Sequence, residues 1–312
     1  MGRYRLGDII SMTRKSLSIT QEQLCNGICS AETLSRIETG RQNPSKDTYE
    51  QLMERMGRVR ERSYSMLSIS GFKILEKKKL YDDCIVRFDY LGAEKILMEL
   101  KKIIGNTNMD KQFMICAENL SNYCLNRINS EKFLEGLEKA ILLTIPQYST
   151  ISLSKWPLNK HEATLLLNIS STYAEMKEYE KTIRILEDTK GAVEQSYMDE
   201  QERAIMLATI LNNLSKWYGL IGNYDKSIEI AQEGITVCKR FNLGHILPNL
   251  LYCFAWNKEQ LIDLGVLSPE NRRECLSYLR QAYYIASAVQ QVNIAQFIND
   301  HTKAIYNISF SC

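Results

Sequence analysis

The chain has 312 residues and an almost balanced charge, with 39 Lys and Arg against 37 Asp and Glu and a formal net charge of +2. No apolar run approaches the roughly 20 residues that a membrane-spanning helix needs, and no signal-peptide core is recognised, so we expect a cytoplasmic protein without a membrane partner. Only 5 prolines interrupt long stretches of Leu, Ile, Ala, Glu and Lys at helical spacing, which predicts an all-α protein with more than one domain.

Two short helices joined by a tight turn are predicted near the N-terminus. Thr20 and Gln23 have the spacing of a capping box, which satisfies the free amides at the start of a helix. Gly27 stands where the chain must turn, and Ser30 is the N-cap of a second helix that Gly40 ends. This arrangement is typical of a DNA-reading helix-turn-helix.

The second helix has one apolar face and several outer faces. Leu34 and Ile37 are three residues apart and are expected to face the core. The outer faces then carry Ala31, Glu32, Thr33, Ser35 and Arg36. We expect the N-terminal half of this helix to enter the major groove of double-stranded DNA.

These residues resemble the helix-turn-helix of Xre/Cro-type repressors over about residues 3–66, and the strings GICS and LSRIE are similar to the version found in RRNPP-type (Rgg/PlcR/PrgX-like) peptide sensors. The resemblance implies base-edge contacts from Ala31, Glu32 and Arg36, with Thr33 and Ser35 as further candidates. It implies phosphate contacts, which fix register without reading sequence, from Gln21, Ser30, Arg41 and Asn43. Arg14 and Glu38 match a buried structural salt bridge of such domains.

The alternative is a small helical bundle that does not bind DNA. The charge of the segment adds only modest support for DNA binding over this alternative. Residues 1–66 carry 11 Lys and Arg against 8 Asp and Glu. Much of this excess lies in a run of arginines at the end of the segment: Arg55, Arg58, Arg60 and Arg62. The run is interpreted either as a solvated linker face or as a phosphate track.

The remainder, residues 67–312, contains repeats. The segments 167–186 and 213–231 share a helix, a short turn carrying Tyr179 or Tyr224, and a second helix, as in tetratricopeptide-like pairs. Weaker copies predict about five pairs and a C-terminal capping helix, stacked as a right-handed superhelix with the first helices on its concave side. The tyrosines of these segments, Tyr173, Tyr179, Tyr218 and Tyr224, are interpreted as packing landmarks. Irregular repeats of this kind again resemble RRNPP sensors.

An asparagine precedes the aromatic or cysteine landmark of four first helices by the same interval, at Asn119, Asn168, Asn213 and Asn249. An amide offers both a donor and an acceptor, so a row of amides can hold the backbone of an extended peptide. Residues three and seven positions further on are expected to share the inner face: Asn122, Asn126, Ser171, Glu175, Lys216, Leu220, Tyr252 and Trp256. The alternative reading is that the asparagines brace neighbouring helices.

Catalytic and metal chemistry have little support. The 9 cysteines are scattered and odd in number, so most are expected to be free thiols, and Cys25 and Cys29 lack further metal ligands nearby in sequence. The 3 histidines adjoin no motif. We therefore expect no metal, no cofactor and no enzymatic activity.

A DNA reader joined to a peptide-lined superhelix predicts a transcription regulator controlled by a signalling peptide. Because one helix-turn-helix gives limited affinity, we expect a homodimer on a palindromic or repeated operator. The RRNPP resemblance implies that the ligand is a short intracellular quorum-sensing peptide. The alternative is a helix-turn-helix regulator whose repeat domain binds a protein partner.

Overall fold

The computed structural model describes residues 6–56, 69–146, 148, 153, 156, 158–196 and 198–310. These residues form helices and turns without a strand, which confirms the all-α prediction. The N-terminal helices are α1 (Leu6–Ser16), α2 (Gln21–Cys25), α3 (Ala31–Glu38) and α4 (Lys46–Arg55). The later helices are α5 (Ile69–Val86), α6 (Tyr90–Leu100), α7 (Asn108–Cys124), α8 (Ser130–Leu142), α9 (Lys160–Glu175), α10 (Tyr179–Glu194), α11 (Glu200–Leu220), α12 (Tyr224–Phe241), α13 (Leu247–Asp263), α14 (Arg272–Ala288) and α15 (Val292–Tyr306).

Contacts divide the chain into two compact units. The first unit is Met1–Lys177 with Gly191–Asp199, and the second is Glu178–Lys190 with Glu200–Cys312. The first unit thus holds α1 to α4 together with α5 to α9. The boundary expected after residue 66 lies outside the described residues, so the division into domains 1–66 and 67–312 stays a prediction.

Helices of the second unit pack on their neighbours in chain order. Each of α11 to α14 contacts the next helix, and α13 also contacts α11 and α15. Their shared core includes Ile235, Leu250, Leu279 and Ile298, all buried. A helix pair that cannot bury its apolar face alone is buried by stacking on the next pair, which is the tetratricopeptide-like arrangement.

Two turn tyrosines of the repeats contact a tryptophan at corresponding positions in the second unit. The ring of Tyr179 stacks on Trp217 with centroids 5.6 Å apart, and Tyr224 meets Trp256 edge-on at 6.2 Å. In each case a tyrosine at the start of a second helix packs on a tryptophan in the first helix of the following pair. These tyrosines therefore hold successive pairs together, as the sequence indicated.

No helix among the described residues is long and apolar enough to cross a bilayer. The eight cysteines within the same residues are free thiols.

Candidate DNA-reading surface and repeat-domain sites

The helix-turn-helix forms through the local signals that its sequence carries. Thr20 Oγ1 accepts a hydrogen bond from the backbone N–H of Gln23 at 3.1 Å, and the Gln23 side chain accepts from the backbone N–H of Thr20 at 2.9 Å. Ser30 Oγ accepts from the Thr33 N–H at 3.1 Å and so caps α3. Gly27 has a φ of +71°, in the left-handed region that favours glycine. The predicted caps and turn are confirmed.

The core of this motif contains the two residues predicted to face it. Leu34 and Ile37 are at most 1% exposed and pack with Ile10, Leu24 and Leu52. A side chain at Gly7 would collide with the backbone oxygen of Ile37, because α1 lies directly against α3 there. Neither periodicity nor capping in the sequence indicated that close approach.

The expected base-reading residues lie on the opposite faces of α3. Ala31, Glu32 and Arg36 are exposed, and Thr33 and Ser35 are half-buried. Arg36 Nη2 donates to Glu32 Oε1 at 2.5 Å, one turn earlier on the same helix. Since both side chains are more than half exposed, this pair adds only about 0.2–0.5 kcal/mol of stability. The face that is expected to read bases is thus accessible.

Arg14 and Glu38 form the predicted salt bridge. Arg14 Nε donates to Glu38 Oε1 at 2.5 Å and Nη2 donates to Oε2 at 2.8 Å, with both side chains mostly buried. Burial alone would raise the pKa of Glu38, but hydrogen bonds from Arg14 and Gln21 and the positive charge of Arg14 lower it on balance. The carboxylate ties α3 to α1.

Gln21, which is expected to contact a DNA phosphate, has a hydrogen-bond partner within the protein. Its side-chain amide donates to Glu38 Oε2 at 2.8 Å. A buried, charged acceptor makes this a strong hydrogen bond, and the phosphate contact stays a prediction. The remaining phosphate candidates, Ser30, Arg41 and Asn43, are exposed.

Arg55 corrects the interpretation of the arginine run. The sequence placed it on a solvated linker face or a phosphate track, yet its side chain is 3% exposed. Its guanidinium Nη1 donates to the backbone oxygen of Asn26 at 2.5 Å, and Nη2 donates to the oxygen of Thr144 at 2.8 Å and to Glu162 Oε1 at 3.2 Å. The ring of Trp156 lies 5.6 Å from its Cζ. Arg58, Arg60 and Arg62 lie outside the described residues.

The contacts of Arg55 help to bind the turn that precedes the reader helix to repeat helices of the same unit. Besides Arg55, the side-chain amide of Asn108 donates to the backbone oxygen of Gly27 at 2.8 Å. A side chain at Gly27 would lie 2.9 Å from the backbone oxygen of Thr144. Glycine is therefore required here both by φ and by the close approach. We call Arg55, Glu162, Asn108 and Gly27 the clasp.

Sequence reasoning did not find the clasp, although part of its signal was present. Asn159 and Glu162 have capping-box spacing, and the structure has both bonds of that box at the start of α9. Arg55 falls three residues after Leu52 and directly before Met56, and both of these residues are buried. An arginine on a core face indicates a buried partner, but the sequence does not say that the partner is Glu162.

Asn119 departs from the predicted row of peptide contacts in the first unit. Its amide nitrogen donates to the backbone oxygen of Phe133 at 2.6 Å, so it braces α7 against α8, as the alternative reading held. Asn126 has a φ of +55° and lies beyond the end of α7. It belongs to a turn because the helix ends at Cys124.

The other predicted peptide contacts of the first unit differ in whether their polar atoms already contact another side chain. Asn122 Oδ1 lies 3.5 Å from Arg127 Nη1. Glu175 accepts a hydrogen bond from the hydroxyl of Tyr123. Asn168 is half-buried and lines a cavity, and Ser171 is exposed on the same helix.

The candidates of the second unit lie on α11 and α13. Asn213 and Asn249 are half-buried, Leu220 is 52% exposed, and Lys216 Nζ lies 4.4 Å from the ring of Trp217.

Tyr252 and Trp256, which are expected to share the inner face, contact different neighbours. Tyr252 meets Phe297 at 5.0 Å and His301 at 5.3 Å, whereas Trp256 meets Tyr224. Both rings therefore already pack within the unit, Tyr252 against α15 and Trp256 against α12.

Comparison with known proteins agrees with this architecture. A helix-turn-helix family model matches residues 10–62. Comparison with curated protein sequences gives no match.

Solved structures show a likeness along nearly the whole chain. PlcR of Bacillus thuringiensis in complex with the peptide PapR7 and DNA is 20% identical, with 98% of this chain and 100% of that chain covered and a TM-score of 0.58. PlcR in its apo form is 17% identical, with 94% and 97% covered and a TM-score of 0.61. ComR of S. thermophilus in complex with DNA and its signalling peptide ComS is 16% identical, with 96% and 99% covered and a TM-score of 0.53. The chain therefore has the fold of these proteins.

Proposed function

We propose that this chain, a helix-turn-helix protein with the fold of PlcR and ComR, is a transcription regulator of the RRNPP type whose DNA binding is controlled by a short signalling peptide. The observation that carries the proposal is a reader helix that is open on its base-reading face while the turn before it is bound by the clasp. A DNA-binding element held in this way can respond to changes in the repeat helices.

The DNA side of the proposal assigns base contacts to α3. Arg36, with five donors in a planar fork, suits a guanine edge, and the carboxylate of Glu32 suits the amino group of cytosine. Arg41 and Asn43, which are exposed in the following loop, are assigned to phosphates. A homodimer would place two such helices on a palindromic or repeated operator.

The peptide side of the proposal rests on the exposed or half-buried amides that remain after Asn119 is removed from the row. These are Asn168, Asn213 and Asn249. PlcR and ComR were each crystallised with a peptide and DNA, and we assign the same two classes of ligand to this chain. A cytoplasmic location follows, because both DNA and an intracellular peptide must reach the protein.

Fluorescence anisotropy tests the proposal directly. The full-length protein is titrated into labelled DNA from the region upstream of its own gene, with a scrambled duplex as control, in the presence and absence of synthetic peptides encoded by adjacent reading frames. We expect specific DNA binding whose affinity changes at least tenfold with one peptide. DNA binding that ignores every such peptide would favour a protein partner in the repeat domain, and absence of specific binding would refute the regulator.

A further inference from the structure

A cavity of about 240 Å³ lies in the first unit, between α4 of the helix-turn-helix region and the helices α5, α7 and α9. Helix α4 contributes Glu50, Gln51 and Glu54 to one wall. Helix α9 contributes Thr164 and Asn168 to another. The cavity, which we call the junction cavity, is thus lined both by a helix of the DNA-binding region and by an asparagine assigned above to the peptide.

Part of the lining of the junction cavity is apolar. Phe113, Met109 and Leu120 of α7 line it together with Leu165 of α9. Tyr81, which also lines it, meets the ring of Phe113 edge-on at 6.0 Å and donates its hydroxyl hydrogen to the backbone oxygen of Ala117. These side chains favour an apolar or aromatic occupant.

The size of the cavity limits what can enter. Ligand pockets for whole small molecules measure about 300–1,000 Å³, so a space of 240 Å³ accommodates one or two large side chains but not a complete peptide. Of a peptide, only one or two side chains can therefore occupy the cavity.

The polar lining limits the charge of the occupant. Four carboxylates border the cavity, from Glu50, Glu54, Asp82 and Asp110, together with one ammonium group, that of Lys78. This ammonium group lies 3.6 Å from Asp110 and 4.7 Å from the ring centroid of Phe113, so it pairs with one of the four carboxylates. Because carboxylates outnumber ammonium groups in the lining, an acidic occupant is disfavoured.

We propose that the junction cavity binds a large apolar side chain of the peptide that controls this protein. In that peptide, the apolar residue has no acidic residue beside it. The proposal rests on the proposed function and adds a site to it. Asn168 holds the peptide backbone at the edge of the cavity, and the apolar side chain lies on Phe113 and Leu165. Helix α4 also lines the cavity and ends in Arg55 of the clasp. A side chain bound in the cavity therefore contacts the helix whose last residue holds the turn before the reader helix.

Binding of an apolar dye tests the site without the natural peptide. Thr164 is exposed and its hydroxyl donates to the Lys160 oxygen, so Thr164→Phe fills the cavity from α9 with little disturbance of the helix. Gln51→Phe fills it from α4. Thr236→Phe on α12 is the matched control, since Thr236 is also exposed and its hydroxyl donates to the Gln232 oxygen at the same 2.9 Å.

The neutral dye N-phenyl-1-naphthylamine is titrated into each full-length variant while its fluorescence is followed. We expect wild type and Thr236→Phe to bind it equally, and both filled variants to bind at least tenfold more weakly. An anionic naphthalene sulfonate dye is expected to bind wild type more weakly than the neutral dye. Equal binding of the neutral dye to filled and control proteins, or no binding to wild type, would overturn the site.

Peptide response separates this proposal from the function on which it rests. A peptide that changes DNA binding of wild type and of Thr236→Phe, but not of Thr164→Phe or Gln51→Phe, supports the junction cavity. A peptide that acts on all four proteins alike overturns the cavity while the peptide-controlled regulator stands. If no peptide acts on wild type, the proposed function fails, and the dye titration still decides the cavity.

Discussion

The guanidinium of Arg55 and the carboxylate of Glu162 form an ion pair in which the side chains are 3% and 0% exposed. One partner ends a helix of the DNA-binding region, and the other is the capping-box residue at the start of α9. The guanidinium also donates to two backbone oxygens: Nη1 donates to that of Asn26, and Nη2 donates to that of Thr144. Buried charges are tolerated where geometry and additional hydrogen bonds offset desolvation, and the two Nη atoms have such bonds, whereas Nε is buried without a hydrogen-bond partner.

Breaking one side of this pair is expected to destabilise the protein strongly. Arg55→Met leaves Glu162 charged and buried without its cation, which costs about 3–5 kcal/mol. Glu162→Gln keeps the capping box, because glutamine also serves at that position, but removes the ion pair. The double variant Arg55→Met, Glu162→Gln leaves no uncompensated charge, so it should be more stable than Arg55→Met alone.

Urea denaturation followed by far-UV circular dichroism measures these differences. The control is Glu135→Gln, which breaks the exposed pair with Lys139 and should leave the free energy of unfolding nearly unchanged. Equal stability of wild type and Arg55→Met would contradict a structural role for the pair.

The Arg14–Glu38 salt bridge predicts a pH dependence of stability. Because the folded pKa of Glu38 lies below its value of about 4.3 in unfolded peptides, the ionised carboxylate stabilises the fold above that pH. This contribution is lost as the pH falls through the folded pKa. Glu38→Gln should therefore lower the free energy of unfolding by about 1.5–3 kcal/mol at neutral pH and by less in acid.

Thermal denaturation between neutral and acid pH checks the sign. Glu229→Gln is the control, since its pair with Lys226 is exposed. A stability difference between wild type and Glu38→Gln that grows on acidification would refute the assignment.

The features of α3 were predicted from the sequence, whereas the contacts of the clasp were not. Caps, the turn glycine and the core face of α3 depend on residues close in sequence, and all were predicted from spacing. The clasp joins Arg55 to Glu162, and such a contact is set by tertiary packing that one sequence does not display. Gln21 shows the same limit, because its acceptor Glu38 was predicted as a partner of Arg14 alone.

Base reading by α3 is tested at Arg36. Replacing it with alanine should cost about 1–3 kcal/mol of binding free energy on the operator and relax the preference at one base pair. Arg240→Ala, at an exposed position of α12, is the control and should not change DNA binding. Anisotropy with a set of singly substituted operators measures the effect. Equal weakening on all sequences would mean that Arg36 contacts a phosphate.

Substitution of Asn119 is expected to reduce stability, whereas substitution of Asn168 and Asn213 is expected to remove the response to peptide. Asn119→Ala removes the bond to the Phe133 oxygen and leaves that group without its partner, so we expect a loss of stability of about 1–3 kcal/mol. Asn168→Ala with Asn213→Ala should instead abolish the change in DNA affinity caused by peptide, while helicity and DNA binding without peptide stay at the wild-type level. Circular dichroism and anisotropy on the same preparations check both. If the double variant loses helicity, its asparagines brace the fold as Asn119 does, and a full peptide response in a folded double variant would move the backbone contacts elsewhere.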